Sequence, residues 1–273
     1  MKHIFRLLAL LSFSITCFAS PTYLSENAKV TVEKMIAAHG GMAKWNQARA
    51  LTFTSILTFG KPYETEFWIS TETTEIKTER TFQDWLVWGS KLSHDGEKTW
   101  TQNWKIDNPP GVNVNGIYYQ VALPWLTQNS DVVLEELPKS KLGKSEILFD
   151  VVKMTFKKGS KKSPYKFYIL YLHPETHLLT GIDYNITYGA FLDLVGAPKD
   201  VKFLGPNTHI IYTYKTVDGL IFPEKYDTTN SNGADYGRHI IYNYSLSKKF
   251  DKSRMKMSAD AVLDTSKAER QNQ

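Results

Sequence analysis

The sequence contains a single cysteine, Cys17, which lies in its first twenty residues. Lys2 and Arg6 precede an apolar run, Leu7 to Phe18, that is too short to span a bilayer and is typical of an export signal. Cleavage after Ala19 leaves a mature chain without cysteine, which excludes disulfides, a thiolate nucleophile and a cysteine metal site. We therefore predict a signal peptide over 1–19 and a periplasmic protein.

Acylation of Cys17, which would make an inner- or outer-membrane lipoprotein, is the alternative to simple cleavage. The preceding Ser14-Ile15-Thr16 fits the small-residue box of bacterial lipoproteins poorly, because that box has Leu first and Gly or Ala last. Ordinary cleavage is therefore the favoured prediction.

The sequence is also poor in excess charge and in long apolar runs. Its formal net charge is +5, and removal of Lys2 and Arg6 with the signal leaves +3, which is too little to indicate a nucleic-acid partner. No second apolar run approaches the length of a membrane span. We predict a monomer that is soluble or lipid-anchored.

Motifs of catalysis and metal binding are missing. The sequence has no G-x-S-x-G elbow and no HExxH. His173 and His177 are four residues apart, but Pro174 between them indicates a turn and not a metal-binding helix. Four carboxylates occupy polar positions of predicted strands and indicate a solvated outer face: Glu64, Glu66, Glu75 and Glu79. We predict no catalytic residue, no metal site and no cofactor.

Alternation of apolar and polar residues dominates the chain. Leu51, Phe53 and Leu57 alternate with Thr52, Thr54 and Thr58, a period that places the two sets on opposite faces of a strand. The turn signals include Asp95-Gly96 and Asp218-Gly219. Eleven strands are predicted near 51–59, 63–70, 74–81, 85–92, 97–104, 148–157, 164–173, 178–188, 208–216, 220–228 and 237–246.

Two helical segments accompany the strands. Ser25 is a good N-cap for a helix over 26–39, whose apolar residues recur on one side until Gly40 and Gly41. The second segment, 117–127, is a helix or an apolar loop that contains Leu123-Pro124-Trp125-Leu126. We predict a mainly β, single domain over 20–250 built on one curved antiparallel sheet, followed by a polar, poorly ordered tail over 251–273.

The aromatic residues are numerous enough to line both a core and a cavity, with 7 Trp, 15 Tyr and 14 Phe. Tyrosine and tryptophan suit a wall that is mainly apolar with occasional polar groups, although ordinary core packing would also account for them. The predicted cavity-lining residues are Phe53, Leu57, Phe67, Ile69, Trp100, Trp104, Phe167, Ile169, Tyr171, Ile182, Tyr184, Ile186, Tyr212, Tyr214 and Tyr244.

Four runs, in order, resemble the bacterial outer-membrane lipoprotein-sorting proteins of the LolA/LolB-like family. They are Ala38-His39-Gly40-Gly41 with Trp45, His94-Asp95-Gly96-Glu97-Lys98-Thr99-Trp100, Leu170 to Leu179, and Val217-Asp218-Gly219-Leu220-Ile221-Phe222-Pro223. The resemblance implies an unclosed half-barrel of about eleven strands around a hydrophobic cavity, with helices as a lid and no enzymatic activity. It also implies a strand arginine that holds the lid, for which Arg80 is the candidate by location.

The leading functional hypothesis is a carrier or receptor for a lipid or an acylated protein. The lid would carry Met35, Ile36, Leu123 and Trp125. Lys157, Lys158, Lys161 and Lys162, in a predicted hairpin, form a possible transient contact with a membrane or a membrane partner, the alternative being a solubilising turn.

Two other classes of function remain open from the residues alone. One is an extracytoplasmic structural or interaction protein whose curved sheet is filled by its own side chains. The other is a hydrolase acting on polysaccharide, which would need a pair of carboxylates in a groove.

Overall fold

A computed structural model describes residues 20–59, 66–158, 160, 165–230 and 232–269. The predicted signal peptide lies outside the described residues. The helices are α1 Glu26–Ala38, α2 Met42–Trp45, α3 Pro110–Asn113, α4 Gly116–Leu126 and α5 Gly189–Leu194. The strands are β1 Thr22–Tyr23, β2 Ala50–Phe59, β3 Glu66–Glu75, β4 Thr81–Trp85, β5 Ser90–His94, β6 Thr99–Gln102, β7 Val132–Ser140, β8 Phe149–Phe156, β9 Phe167–Leu172, β10 Leu179–Ile186, β11 Leu204–Val217, β12 Leu220–Thr229, β13 Asp235–Ser245 and β14 Val262–Leu263.

All fourteen strands belong to one sheet, in the order β1-β7-β8-β9-β10-β11-β12-β13-β2-β3-β4-β5-β6-β14. The sheet is an open half-barrel, as predicted, because its two ends, β1 and β14, do not pair with each other. Every neighbouring pair is antiparallel except the short β1, which lies parallel to β7. None of the described helices is long and apolar enough to cross a membrane.

Several strands differ from the sequence prediction, and the short β1 and β14 were not predicted at all. Residues 132–140 form β7, although the pattern was expected to break over 105–147; Val132 and Leu134 alternate with half-buried residues before the polar end of this strand. The predicted strands 74–81 and 85–92 are centred on turns, because Glu79 adopts a left-handed conformation with a φ of 57° and Gly89 one of 63°.

Helix α1 begins and ends where the sequence predicts. The Ser25 hydroxyl accepts a hydrogen bond from the Ala28 amide at 3.0 Å, which caps the helix. Its buried side chains are Ala28, Val32, Met35 and Ile36. Three of them, Val32, Met35 and Ile36, join the core that fills the concave side of the sheet, so the amphipathic stripe of α1 covers the sheet as expected.

The C-terminal segment is ordered over 251–269, which differs from the expected disorder. Arg254 forms an ion pair with Asp84 at 3.1 Å and lies over the ring of Phe82. Strand β14 pairs with β6, and the Asp264 carboxylate accepts a hydrogen bond from the Gly111 amide at 2.8 Å. The segment therefore crosses the outer face of β4–β6 and covers the free edge of β6, which would otherwise expose unpaired backbone groups.

Deletion of residues 256–273 is expected to lower the free energy of unfolding by about 2–4 kcal/mol. The deletion removes the β14–β6 pairing and uncovers Trp100, which is now 5% exposed. Urea denaturation measures the change. Val262→Ser is the matched control, since that side chain is 68% exposed while its backbone pairs with β6. An unchanged denaturation midpoint in the deletion variant would contradict this account.

Candidate functional site

Helix α4 occupies the concave side of the half-barrel. Ten of its eleven residues are buried, all except Ile117. The Trp125 ring stacks on Trp45 at 4.6 Å and packs against Phe222 at 5.0 Å. At the other end of the helix, the Tyr119 ring stacks on Tyr168 at 6.1 Å. The segment expected to act as a lid is therefore seated inside the half-barrel.

One carboxylate holds α4 and its flanking residues. The Glu79 side chain accepts hydrogen bonds from the Tyr119 hydroxyl at 2.9 Å and from the Asn129 amide at 3.1 Å. The Glu79 backbone carbonyl accepts a third from Asn115 at 3.0 Å. Glu79 is buried, so the prediction that it belongs to a solvated outer face is wrong.

Arg80 forms no hydrogen bond with α4 among the described residues. Its guanidinium pairs with Glu75 at 2.5 Å and lies 5.5 Å from the ring of Phe250. The lid-holding arginine that the resemblance implied is therefore not Arg80. Its neighbour Glu79 makes the contacts with the helix, using acceptors where an arginine would use donors.

The inner face of β3 and β4 is polar. Glu72 is 1% exposed, and its carboxylate accepts hydrogen bonds from Thr74 at 3.1 Å and from the Gln83 amide at 3.1 Å. The Gln83 amide also donates to the Asn113 carbonyl at 2.8 Å, just before α4. Burial raises the pKa of Glu72 to about 8, against the lowering effect of these donors.

His39 brings three of the resemblance motifs together at the end of α1. The Leu179 amide donates to its Nε2 at 3.0 Å, so its Nδ1 carries the proton and donates to the Ile221 carbonyl at 2.7 Å. Burial lowers the pKa of His39 to about 4, so the ring is neutral. Gly40 follows with a φ of 100°, and a Cβ there would lie 2.1 Å from the Gly219 carbonyl oxygen. These motif residues thus fix helix α1 to the β9–β10 and β11–β12 hairpins.

Two further buried histidines lie under α4. The ring of His239 stacks on Tyr226 at 4.4 Å and lies 5.3 Å from His209. The Tyr226 hydroxyl donates to Gln120 of α4 at 2.8 Å. Burial lowers the pKa of His239 to about 3 and that of His209 well below its usual value. A narrow gap with no room for a water molecule lies here, lined by Gln120, Ile182, His209, Ile211, Pro223 and Tyr226.

Several predicted cavity-lining and lid residues lie on the concave side. Phe53, Ile182 and Tyr184 are buried in the core, and Ile186, Tyr214 and Tyr244 are partly buried against it. The four lid residues Met35, Ile36, Leu123 and Trp125 belong to the same core. Leu57 is half-buried on this face, opposite His239.

Strand register places other predicted lining residues on the outer face. Phe53 is buried on the concave side and lies directly opposite Glu72, so Glu72 faces the same side. Phe67 and Ile69 alternate with the inward residues of β3 and therefore face outward. Phe67 is accordingly 54% exposed. In β9 the buried set is Tyr168, Leu170 and Leu172, which corrects the predicted set of Phe167, Ile169 and Tyr171. Both sets are apolar, so alternation alone could not distinguish them.

Three more predicted lining residues lie elsewhere. Tyr212 is 53% exposed, because the register of β11 shifts beside it, between Ile211 and Thr213. Trp100 pairs with Ser93 and Leu263, on the face opposite to the inward Leu92, and the C-terminal segment covers it. Trp104 is half-buried and packs edge-to-face against Trp85 at 6.1 Å.

The lysine hairpin is only partly described. Lys157 and Lys158 are exposed, and Lys161 and Lys162 lie outside the described residues. Among the described residues, no group of His, Cys, Asp and Glu could hold a metal ion.

Comparison with known proteins places the fold but not the activity. No protein-family model and no curated protein matches the sequence. A LolA superfamily protein from Nitrosomonas europaea is similar in structure, with a TM-score of 0.54 and 12% identity over 84% of this chain and 97% of that chain. A DUF1329 family protein from Desulfovibrio piger has a TM-score of 0.51 and 9% identity over 84% and 97%. An outer membrane lipoprotein-sorting protein domain from Vibrio parahaemolyticus has a TM-score of 0.48 and 9% identity over 81% and 96%. The first two similarities, with the open sheet and its inserted helix, show that this chain has the LolA/LolB-like fold.

Proposed function

We propose that this protein binds a lipid or an acylated protein on the concave side of its half-barrel and carries or receives it in the periplasm. The observation that carries the proposal is α4, an almost wholly apolar helix buried in a half-barrel that the sheet itself leaves open. An acyl chain could cover the apolar concave surface that α4 would leave. The LolA/LolB-like fold supports the same conclusion.

Cargo binding would offset part of the cost of displacing α4. Each buried methylene of an acyl chain contributes about 0.8 kcal/mol, against the burial lost when the ten buried residues of α4 leave. Among the described residues, the side-chain hydrogen bonds of α4 that must break include those of Tyr119 with Glu79 and of Gln120 with Tyr226 and Tyr165. Release of the cargo then needs a membrane or partner that favours the seated helix.

The sequence features support an exported binding protein. Residues 1–19 would direct export. The exposed Lys157 and Lys158 would give transient contact with anionic headgroups during delivery, each adding about 1 kcal/mol near the surface.

A second candidate is an interaction protein whose interior is permanently filled by its own side chains. The packing under α4 favours it, because the gap between Gln120, His209 and Tyr226 has no room for a water molecule, whereas common ligand pockets measure roughly 300–1,000 Å³. In this case α4 is core and never leaves the sheet.

Mass spectrometry of an organic extract tests the two candidates. The protein is purified without detergent from the periplasm, and the extract is compared with that of the buffer and of an unrelated periplasmic protein. A stoichiometric lipid supports the carrier. A clean extract, repeated after incubation with phospholipid and lipopeptide, contradicts the carrier and favours the filled interaction protein.

A further inference from the structure

Residues 262–268 join two parts of the sheet that lie far apart along it, and we call this segment the C-terminal strap. Its first part is β14, which pairs with β6. Its last part meets the start of α5, the helix between β10 and β11. There the Gly189 amide donates a hydrogen bond to the Ala268 carbonyl at 2.7 Å. The Ala190 amide donates a second one to the Lys267 carbonyl at 2.9 Å.

The strap takes the short way across the open side of the half-barrel. The strands β12, β13, β2, β3, β4 and β5 lie between β11 and β6, so a path along the sheet has seven steps of about 4.8 Å, roughly 34 Å in all. The five steps of the chain from Leu263 to Ala268 span at most about 17 Å. The strap therefore bridges the opening itself and, with α5, closes the strands from β11 to β6 into a ring.

The strap also holds α3, the short helix that leads into α4. The Gly111 amide donates to the Asp264 carboxylate at 2.8 Å, and the Tyr188 hydroxyl lies 2.9 Å from the Ser266 hydroxyl. This junction is tightly packed, because a Cβ on Gly111 would lie 2.1 Å from the Tyr188 hydroxyl. Only two residues separate α3 from α4. The N-terminal end of α4 is therefore kept on the concave side as long as the strap holds α3.

Hydrogen bonds hold the strap in place, and its own side chains contribute little buried surface. Val262 and Leu263 are 68% and 41% exposed, and Thr265, Lys267 and Ala268 are exposed as well. The two remaining residues are only half-buried. A segment with few buried apolar contacts opens at a low free-energy cost, whereas α4 has ten buried residues. The strap can therefore detach while the sheet stays folded.

From this arrangement we infer that the C-terminal strap is the latch of α4. The strap detaches from α5 and α3 before α4 leaves the concave side, and its return secures α4 when the cargo has gone. Because detachment is an equilibrium, the latch lowers the population of the open state and does not abolish it. This inference rests on the proposed function, since it names the element that controls the same displacement of α4.

A reversible disulfide between the strap and α5 tests the latch. The predicted mature chain, residues 20–273, has no cysteine, so Ala190→Cys combined with Lys267→Cys introduces a single pair at two residues whose backbones are hydrogen-bonded. Mass spectrometry shows whether the bond forms on oxidation and opens with a reductant. We expect the α4 amides to exchange hydrogen at least about tenfold more slowly in the oxidised than in the reduced protein. Uptake of the fluorescent probe N-phenyl-1-naphthylamine should slow in parallel.

Truncation of the strap provides the opposite change. A chain that ends at Asp264 keeps β14 and loses the hydrogen bonds to α5, so we expect its α4 amides to exchange at least about tenfold faster than those of the parent. The probe should also enter faster. A chain that ends at Glu269 loses only residues beyond the strap, and as the matched control it should behave like the parent. Urea denaturation checks that both chains are folded.

The outcomes separate the latch from the proposed function. Equal exchange of the α4 amides in the oxidised, reduced and truncated proteins overturns the latch, whether or not the probe binds. A slowing shared equally by the amides of β12 reports general stabilisation and overturns it too, as does a folded variant whose two cysteines do not pair. Exchange that changes as expected in proteins that bind no probe supports the latch and contradicts the proposed function alone.

Discussion

Glu79→Ala is expected to raise the affinity for an acyl ligand by about tenfold while lowering the free energy of unfolding by about 1–3 kcal/mol. The substitution removes the acceptors of the Tyr119 hydroxyl and the Asn129 amide, leaving both donors unpaired only while α4 is seated. The seated state thus loses stability relative to the displaced state, and less of the binding free energy is used to move the helix. Titration with N-phenyl-1-naphthylamine measures the affinity.

A neighbouring carboxylate provides the control for this prediction. Glu75→Ala removes a side chain from the same hairpin that pairs with Arg80 and does not hydrogen-bond to α4. It should change stability slightly and affinity not at all. Hydrogen exchange of the α4 amides should be faster in Glu79→Ala than in Glu75→Ala. An affinity that stays constant or falls in Glu79→Ala would mean that α4 is permanent core.

Stability is expected to fall steeply below pH 6.5. The pKa of His39 is lowered from 6.5 to about 4 and that of His239 to about 3. Each neutral histidine therefore stabilises the fold fully above pH 6.5, and this contribution is lost as pH falls through the folded pKa. For His39 alone the loss is roughly 3 kcal/mol, at about 1.4 kcal/mol per pKa unit.

The contribution of Glu72 to stability depends on pH in the opposite direction. Its pKa is raised from 4.5 to about 8, so the stability it contributes is present below pH 4.5 and is lost as pH rises through 8. Between pH 4.5 and 6.5 the loss of stability from the three buried histidines, His209 included, exceeds the gain from Glu72 as pH falls. Above pH 6.5 the histidines are neutral in both the folded and the unfolded state, so only Glu72 changes the stability. We therefore expect maximum stability near pH 6.5, measured as the urea midpoint across pH 4–9.

Single substitutions identify the groups responsible. His239→Phe keeps a ring stacked on Tyr226 but cannot take up a proton, so its stability should depend less on pH between 4 and 6.5. His177→Asn, in the partly exposed turn between β9 and β10, should follow the unmodified protein. A pH profile of His239→Phe identical to that of the parent would show that this histidine is not the cause.

Much of the local structure could be predicted because it depends on neighbours in the chain. The cap of α1 by Ser25 and the hairpin turns at Asp95-Gly96 and Asp218-Gly219 occur where the sequence places them. Alternation located the β strands of the second half closely. The ordered set of family-like motifs predicted the half-barrel, and His39 explains physically why three of them occur together.

The candidate site was harder to predict, because its residues come together only in three dimensions. In β9, Tyr168 and Tyr171 are equally suited to either face, and pairing with β8 and β10 decides which one is buried. In β3, the sequence suggests that Glu72 lies on the surface, but its pairing with the buried Phe53 places it on the concave side. No local pattern reveals that choice, since a shift of one residue reverses both faces of a strand.

By itself, then, the sequence determined the mainly β class, the amphipathic α1 and the positions of most turns, and it predicts the export signal. These features depend on the spacing of apolar residues and on turn chemistry, which act over a few residues. The tertiary structure alone decided that α4 fills the half-barrel, that Glu79 and not Arg80 holds it, and that the polar tail packs onto β4–β6. These features depend on contacts between residues tens to hundreds of positions apart, where burial and strand register prevail over local propensity.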